Sequence, residues 1–279
     1  MSAAARVDGQ PAGPRPRQLI ITIYGLYARD EQDWLSIASL VRLMGDLGVE
    51  GQAVRSSVSR LKRRGLLRSM PRAGAAGYAL SATSLEVLRE GDARIFGQHR
   101  ATVKDGWALV VFSVPETERD RRHELRTRLS RLGFGTVAPG VWLAPGHLAG
   151  EATEVLARRG LSGYVDIFQA DHLGYSDLAA KVRQWWDLDA LATEYQQFIH
   201  GYRPLARRLA RQVPTGQQAF REYVSMLIAW QRLPYLDPGL PLELLPTQWA
   251  GVTAGDLFTE LNEQLQAPAM RHAGSVIRG

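Results

Sequence analysis

The chain has no cysteine among its 279 residues. That excludes disulfides, thiolate metal sites and cysteine nucleophiles. Long apolar runs are missing too. The longest near-continuous one, LIITIYGLYA, is about half of what a bilayer span needs. No charged segment followed by an apolar one opens the chain as a signal peptide would. Residues 1–16 are rich in Ala, Gly, Pro and Arg and read as a disordered leader. The expectation is a cytoplasmic protein without a membrane partner.

Catalytic signatures are scarce as well. The six histidines (His99, His123, His147, His172, His200 and His272) are scattered, and no two have the i, i+4 spacing of a zinc helix. HELRT begins like such a helix and lacks its second histidine. Neither a phosphate-binding Walker loop nor a serine nucleophile elbow occurs. GFGTVAPG holds two glycines of a dinucleotide pattern but follows a helix rather than a strand, so a turn is the better reading. No catalytic residue, metal site or cofactor is therefore assigned, and a non-enzyme is expected.

What the chain does have is a lopsided charge. Residues 1–72 carry twelve Arg plus Lys against six Asp plus Glu, while the rest carries twenty-two of each. The whole excess of +6 sits in the first quarter. From Arg55 to Arg72 there are seven basic residues and no acidic one. A concentrated basic surface is the footprint of a polyanion partner. A merely solvated face is the plain alternative, and a membrane-surface patch is weaker because the basic helix lacks an exposed aromatic or leucine face.

Apolar spacing organises the chain into α+β domains. Residues 17–29 suit a first helix or its start. Asp33 or Ser36 caps a second, with Ile37, Leu40, Val41, Met44 and Leu47 at helical spacing and Gly48 as its stop. A third helix over Gln52–Arg64 turns Val54, Val58 and Leu61 to one side, with Gly65 as its stop. LLRSM and YALS flank PRAGAAG as a hairpin. Helix, helix, helix, hairpin is the order of a winged helix-turn-helix, placed over residues 17–98. Ser81 or Thr83 starts another helix, and QHRATVKDG reads as a linker. Residues 105–174 then read β-α-β-β-α-β, the order of a ferredoxin-like sandwich. Residues 175–279 read as mainly helical, broken at DPGLPLELLP, with a last helix TAGDLFTELNEQLQA leading to a polar tail.

The third helix carries the sharpest functional expectation. Opposite its apolar side stand Gln52, Arg55, Ser56 and Ser59, residue types that pair with base edges in a major groove. Arg60, Lys62, Arg63 and Arg64, with Arg68 and Arg72 of the hairpin, are assigned to phosphates, which position without specifying. A helix C-terminal dipole attracts two or three cations by itself but leaves the other basic residues unexplained.

The stretch from Leu19 to Leu67, above all AVRSSVSRLKRRGLL, resembles the N-terminal domain of the PaaX-type transcriptional repressors, regulators of phenylacetic acid degradation. GWALVVFSVPE with LRTRLSRLGFGTVAPGVWLAP is similar to the middle domain of that family, and WDLDALATEYQQFI with DPGLPLELLPTQWAG to its C-terminal domain. The resemblance spans roughly residues 18–270. It implies a homodimeric repressor that holds double-stranded operator DNA and lets go when a coenzyme A thioester binds, phenylacetyl-coenzyme A in the named family. Where it implies a histidine and an arginine pair before DPGLP, this chain has Ala229, Trp230, Gln231 and Arg232, a departure that bears on the identity of the effector. Aromatics and cations of the C-terminal region suggest the effector's place: Trp185, Trp186, Trp230 and Tyr235 for an acyl or aryl group, Arg203 and Arg207 for phosphates. Core packing and a solvated helix face compete with that reading.

The middle domain also resembles the small metal-dependent endonucleases of CRISPR adaptation. Those need an aspartate at the end of the first strand, where Ser113 stands here; Glu116 and Glu118 lie farther along the loop. Without that carboxylate a hard cation lacks its anchor, so the domain is expected to be catalytically degenerate. A metal-dependent nuclease and a non-specific nucleic-acid-binding assembly protein remain the rival functions.

Overall fold

A computed structural model describes residues 14–97, 100–174 and 177–279. The expected leader lies outside it up to Gly13, as do His99 and Ser176, where the last helical region was placed. In chain order the elements are α1 (Pro16–Ile23), β1 (Trp34–Ser36), α2 (Ile37–Asp46), α3 (Gly51–Arg63), β2 (Leu67–Ser69), β3 (Gly77–Leu80), α4 (Ala82–Gly97), β4 (Trp107–Phe112) and α5 (Arg119–Arg131). Then come β5 (Gly135–Ala138), β6 (Val141–Pro145), α6 (Ala149–Arg158), β7 (Val165–Ala170), α7 (Leu178–Trp185), α8 (Leu188–Leu209), α9 (Gly216–Trp230), α10 (Leu233–Leu236) and α11 (Ala250–Arg278).

The described residues form two compact units. The first gathers 14–88, 215–228 and 266–279; the second holds the described residues of 89–214 and 229–265. In the first unit α1 runs on through a π turn (Tyr24–Ala28) and a 3-10 turn (Arg29–Glu31). Ile20, Ile23, Leu40, Leu43, Met44, Val54, Val58 and Leu61 close its core. The Ser36 hydroxyl caps α2 by accepting from Ser39 N at 2.9 Å. A four-residue turn joins α2 to α3. Gly65, at φ +70, stops α3 in a left-handed cap, with Leu66 N reaching Leu61 O at 3.0 Å.

Two features of this unit depart from the sequence reading. Trp34–Ser36 form a short strand, so the hairpin is part of a three-stranded antiparallel sheet of order β1-β3-β2. Second, the expected polar tail is helical: α11 continues to Arg278, past Pro268. Ala269 and Ala273 are fully buried there, a small-residue face that hydropathy barely marks.

In the second unit four antiparallel strands take the order β5-β6-β4-β7. Residues of α5 and α6 (Leu125, Leu129, Ala152 and Leu156) pack on the sheet face of Ala108, Val110, Trp142 and Ala144. The helical remainder builds its core on aromatics. Trp230 stacks on Phe258 at 4.5 Å and 9°, with Phe198 beside it at 5.2 Å.

Candidate nucleic-acid interface

Helix α3 buries Val54, Ser57, Val58 and Leu61. That fixes what its other side presents. Gln52, Arg55, Ser56, Ser59, Arg60, Lys62, Arg63 and, just beyond the helix, Arg64 are all exposed. The N-terminal half is held close to α2: a Cβ at Gly51 would sit 3.2 Å from Val41 Cγ1. Arg60 Nη2 donates to Ser57 Oγ at 3.3 Å. Among the described residues Arg55, Lys62, Arg63, Arg64 and Arg68 meet no carboxylate. Five uncompensated cations at the surface raise a local positive potential that a polyanion would relieve.

Next to α3 lies the β2–β3 hairpin, which places Arg68 on an exposed strand position. Its tip is tightly made. Arg72 and Ala75 exchange both backbone hydrogen bonds, at 3.1 and 2.8 Å, around Ala73 (φ +46) and Gly74 (φ +78). Two successive positive φ values mark the mirror-image turn that suits the twist of a hairpin.

Arg72 differs from its neighbours. Its guanidinium lies 5.4 Å from the centre of the Trp34 ring, and Nη1 reaches Glu31 O at 3.4 Å. Trp34 Nε1 in turn donates to Met70 O at 2.6 Å. A Cβ at Gly77 would meet the Trp34 ring at 2.4 Å, so the indole fills the space over that strand. Arg72 thus braces the hairpin through the Trp34 ring and the Glu31 carbonyl. Trp34 is a residue that sequence pattern did not single out; a three-residue strand ahead of a helix cap carries too short a period to be seen.

The six residues suggested for an effector take several different roles. Trp230 is 2 % exposed and donates from Nε1 to Ile95 O at 2.9 Å, which makes it a core residue. Trp186 lies on β5, donating to Gly133 O at 2.8 Å and leaving no room for a side chain at Gly135. Trp185 meets Trp186 edge-on at 6.2 Å. Tyr235 covers the Arg94 guanidinium at 5.1 Å. Arg203 and Arg207 are exposed on α8.

At the end of β4, Ser113 N donates to Tyr164 O at 3.1 Å, and Glu118 accepts a hydrogen bond from the Tyr164 hydroxyl. Glu116 is paired with Arg119 and Arg122. Among the described residues no three His, Cys, Asp or Glu gather as metal ligands.

Comparison with known proteins places the chain. Three family models match in order: the PaaX-like protein over residues 15–84, the PaaX protein central Cas2-like domain over 100–182, and the PaaX-like protein C-terminal domain over 186–275. The chain belongs to the PaaX family. The transcriptional repressor PaaX of Escherichia coli strain K12 is 29% identical over 258 residues, covering 90% of this chain and 80% of that one. The uncharacterized protein Rv0674 from Mycobacterium tuberculosis shares the fold, with a TM-score of 0.62 at 21% identity over 92% of this chain and 97% of that one. Among the described residues no helix is long and apolar enough to cross a membrane.

Proposed function

We propose that this protein is a sequence-specific, ligand-responsive DNA-binding repressor of an aromatic-compound or acyl-coenzyme A catabolic operon. The observation that carries the reading is the exposed face of α3, where base-pairing residue types and cations stand without carboxylate partners. In this reading residues 17–98 act as a winged helix-turn-helix. Gln52, Arg55, Ser56 and Ser59 meet base edges in the major groove, and Arg60, Lys62, Arg63, Arg64, Arg68 and Arg72 hold phosphates. The strand order of the second unit suits a ferredoxin-like sandwich serving as scaffold. A homodimer would read two half-sites related by a dyad, about one helical turn or a multiple apart. An aryl- or acyl-coenzyme A thioester, phenylacetyl-coenzyme A among them, would release the DNA.

The test is binding of the purified protein to a duplex from upstream of its own gene and to random duplex at fixed salt, with and without phenylacetyl-coenzyme A. Preference for the upstream duplex, lost on adding the thioester, supports both halves of the reading. Preference that the thioester leaves untouched keeps the repressor and moves the effector to another thioester. Equal affinity for every candidate upstream duplex and for random DNA overturns the sequence-specific reading.

A further inference from the structure

We propose that a cleft beside the β5–β6 hairpin of the central sheet binds an organic anion carrying an apolar acyl or aryl body. The proposal rests on the ligand-responsive reading above and gives it an effector site. The cleft encloses about 610 Å³, which is within the range of small-molecule sites. It lies wholly within the second unit, between the end of β4, helix α5 and the hairpin.

Its chemistry is two-sided. One wall is cationic: Arg122 and Arg126 line it four residues apart on α5, so they share a helix face. Arg122 is fixed in place, with Nη2 donating to Val114 O at 2.8 Å and Nη1 3.1 Å from the Glu116 carboxylate. Arg126 is exposed and meets no carboxylate among the described residues. No Asp or Glu lines the cleft, while the hydroxyl residues Ser113 and Thr136 do. The Arg126 guanidinium, in a lining without acids, is suited to a carboxylate, sulfonate or phosphate.

Much of the remaining lining is apolar. Phe112, Val137 and Trp142 belong to it. The β5–β6 pairing slips between Thr136 and Ala138, so Val137 is the extra residue of a bulge and stays 38 % exposed. Bulges of this kind re-aim side chains beside binding sites. The hairpin itself is fixed. Phe112 N donates to Gly140 O at 2.8 Å, and a Cβ at Gly140, already at φ +79, would stand 2.8 Å from Phe112 O. The cleft is therefore preformed, which lowers the cost of ordering on binding. A small inorganic anion would leave the apolar side wet; a hydrocarbon would leave Arg126 unanswered. None of the six residues suggested by sequence lines this cleft.

The test uses the full chain and 1-anilinonaphthalene-8-sulfonate, an aryl sulfonate, followed by fluorescence and calorimetry. One saturable site per chain is expected. Arg126→Ala should weaken it about tenfold or more, the usual consequence of losing a hydrogen bond to a charged group. Arg126→Lys should keep part of the affinity, Val137→Glu should abolish binding, and Arg203→Ala on α8 should change nothing. Octanoate should displace the probe and inorganic phosphate should not. Arg126 and Val137 are both solvent-exposed, so these variants should fold, as thermal unfolding verifies. Wild-type affinity in both Arg126→Ala and Val137→Glu overturns the proposal. So does the lack of a saturable site, or displacement by phosphate as strong as by octanoate. Duplex binding by the same ligand-free proteins is scored separately. Loss of operator preference with probe binding intact would sink the repressor reading and leave the cleft standing.

Discussion

His272 Nε2 lies 2.8 Å from Asp46 Oδ2, joining the last turns of α11 to the end of α2, the helix that supports α3. Asp46 is shared: Gln217 Nε2 donates to its other oxygen at 2.5 Å. Arg42 Nη2 reaches Val276 O at 2.8 Å and Arg278 pairs with Glu31 at 3.1 Å, while Phe220 lies between His272 and Tyr27. Two distant stretches of chain thus complete the N-terminal core. Asp46→Ala removes the acceptor shared by the partly buried His272 and the exposed Gln217 and should cost about 1–3 kcal/mol in urea unfolding. His272→Ala and Gln217→Ala should each cost less. If Asp46→Ala is as stable as the parent, the carboxylate does not anchor the C-terminal helix.

Arg55 and Lys62 stand on the same exposed face but nearer opposite ends of α3. Arg55→Ala should cost about 1–3 kcal/mol on the operator and relax the choice of one base, as expected for a bidentate base contact. Lys62→Ala should weaken operator and random duplex alike and lower the salt slope by about one phosphate's share. Affinity measured on a panel of single-base operator variants separates the two roles. Equal loss on every duplex for Arg55→Ala would reassign it to the phosphates.

Ala73 occupies a left-handed position, φ +46, ahead of Gly74 in the hairpin tip. A Cβ in that conformation costs roughly 1–2 kcal/mol, and asparagine tolerates it better than alanine. Ala73→Asn should therefore raise the unfolding midpoint by roughly 0.5–1 kcal/mol of stability, leaving Trp34 and Arg72 in place. Gly77→Ala should do the opposite, because its Cβ would overlap the Trp34 ring. Denaturant midpoints of the two variants give the sign directly.

The third helix was legible because Val54, Val58 and Leu61 repeat at helical spacing between a short turn and Gly65, and burial of those three exposes the polar face. The hairpin was legible from PRAGAAG. Three features escaped the sequence for physical reasons. Strand β1 is three residues long and merges with the cap of α2. The end of α11 buries alanines, which carry little hydropathy, and follows a proline that usually ends a helix. The cleft draws on β4, α5 and a bulge. A bulge depends on pairing register, which no local spacing reports, and Arg122 and Arg126 look like any solvated pair until the hairpin stands opposite them.

Burial holds several tyrosines in the protonated form. It pushes Tyr202 and Tyr223 up to about 12, and raises Tyr24, Tyr27 and Tyr195 well above the ordinary phenol range. Neighbouring tyrosines add to the effect at Tyr24 and Tyr27; the nearby Asp237 carboxylate adds to it at Tyr195. In the unfolded chain these groups ionise near 10. Their contribution is thus fully present below pH 10 and is lost as pH rises through the folded values. Stability should fall from about pH 10 to pH 12, and Tyr223→Phe should flatten that slope. Unfolding midpoints measured at pH 8, 10 and 11 check the sign; a midpoint constant across that range would contradict it.

Trp230 separates packing from ligand response. It is stacked on Phe258, flanked by Phe198 and Tyr195 at 5.2 and 6.4 Å, and tied through its indole N–H to Ile95 O. Trp230→Ala should cost about 3–5 kcal/mol, as for other large core residues truncated to alanine, and leave the second unit loosely packed. Trp230→Phe should recover most of the stability, losing chiefly the hydrogen bond to Ile95. If Trp230 instead contacted an effector, Trp230→Phe would fold normally and lose the response of DNA binding to that effector. Unfolding midpoint and effector response, measured on the same two variants, therefore distinguish a core tryptophan from a pocket one. The expected pattern is a low midpoint for alanine and an intact effector response for phenylalanine.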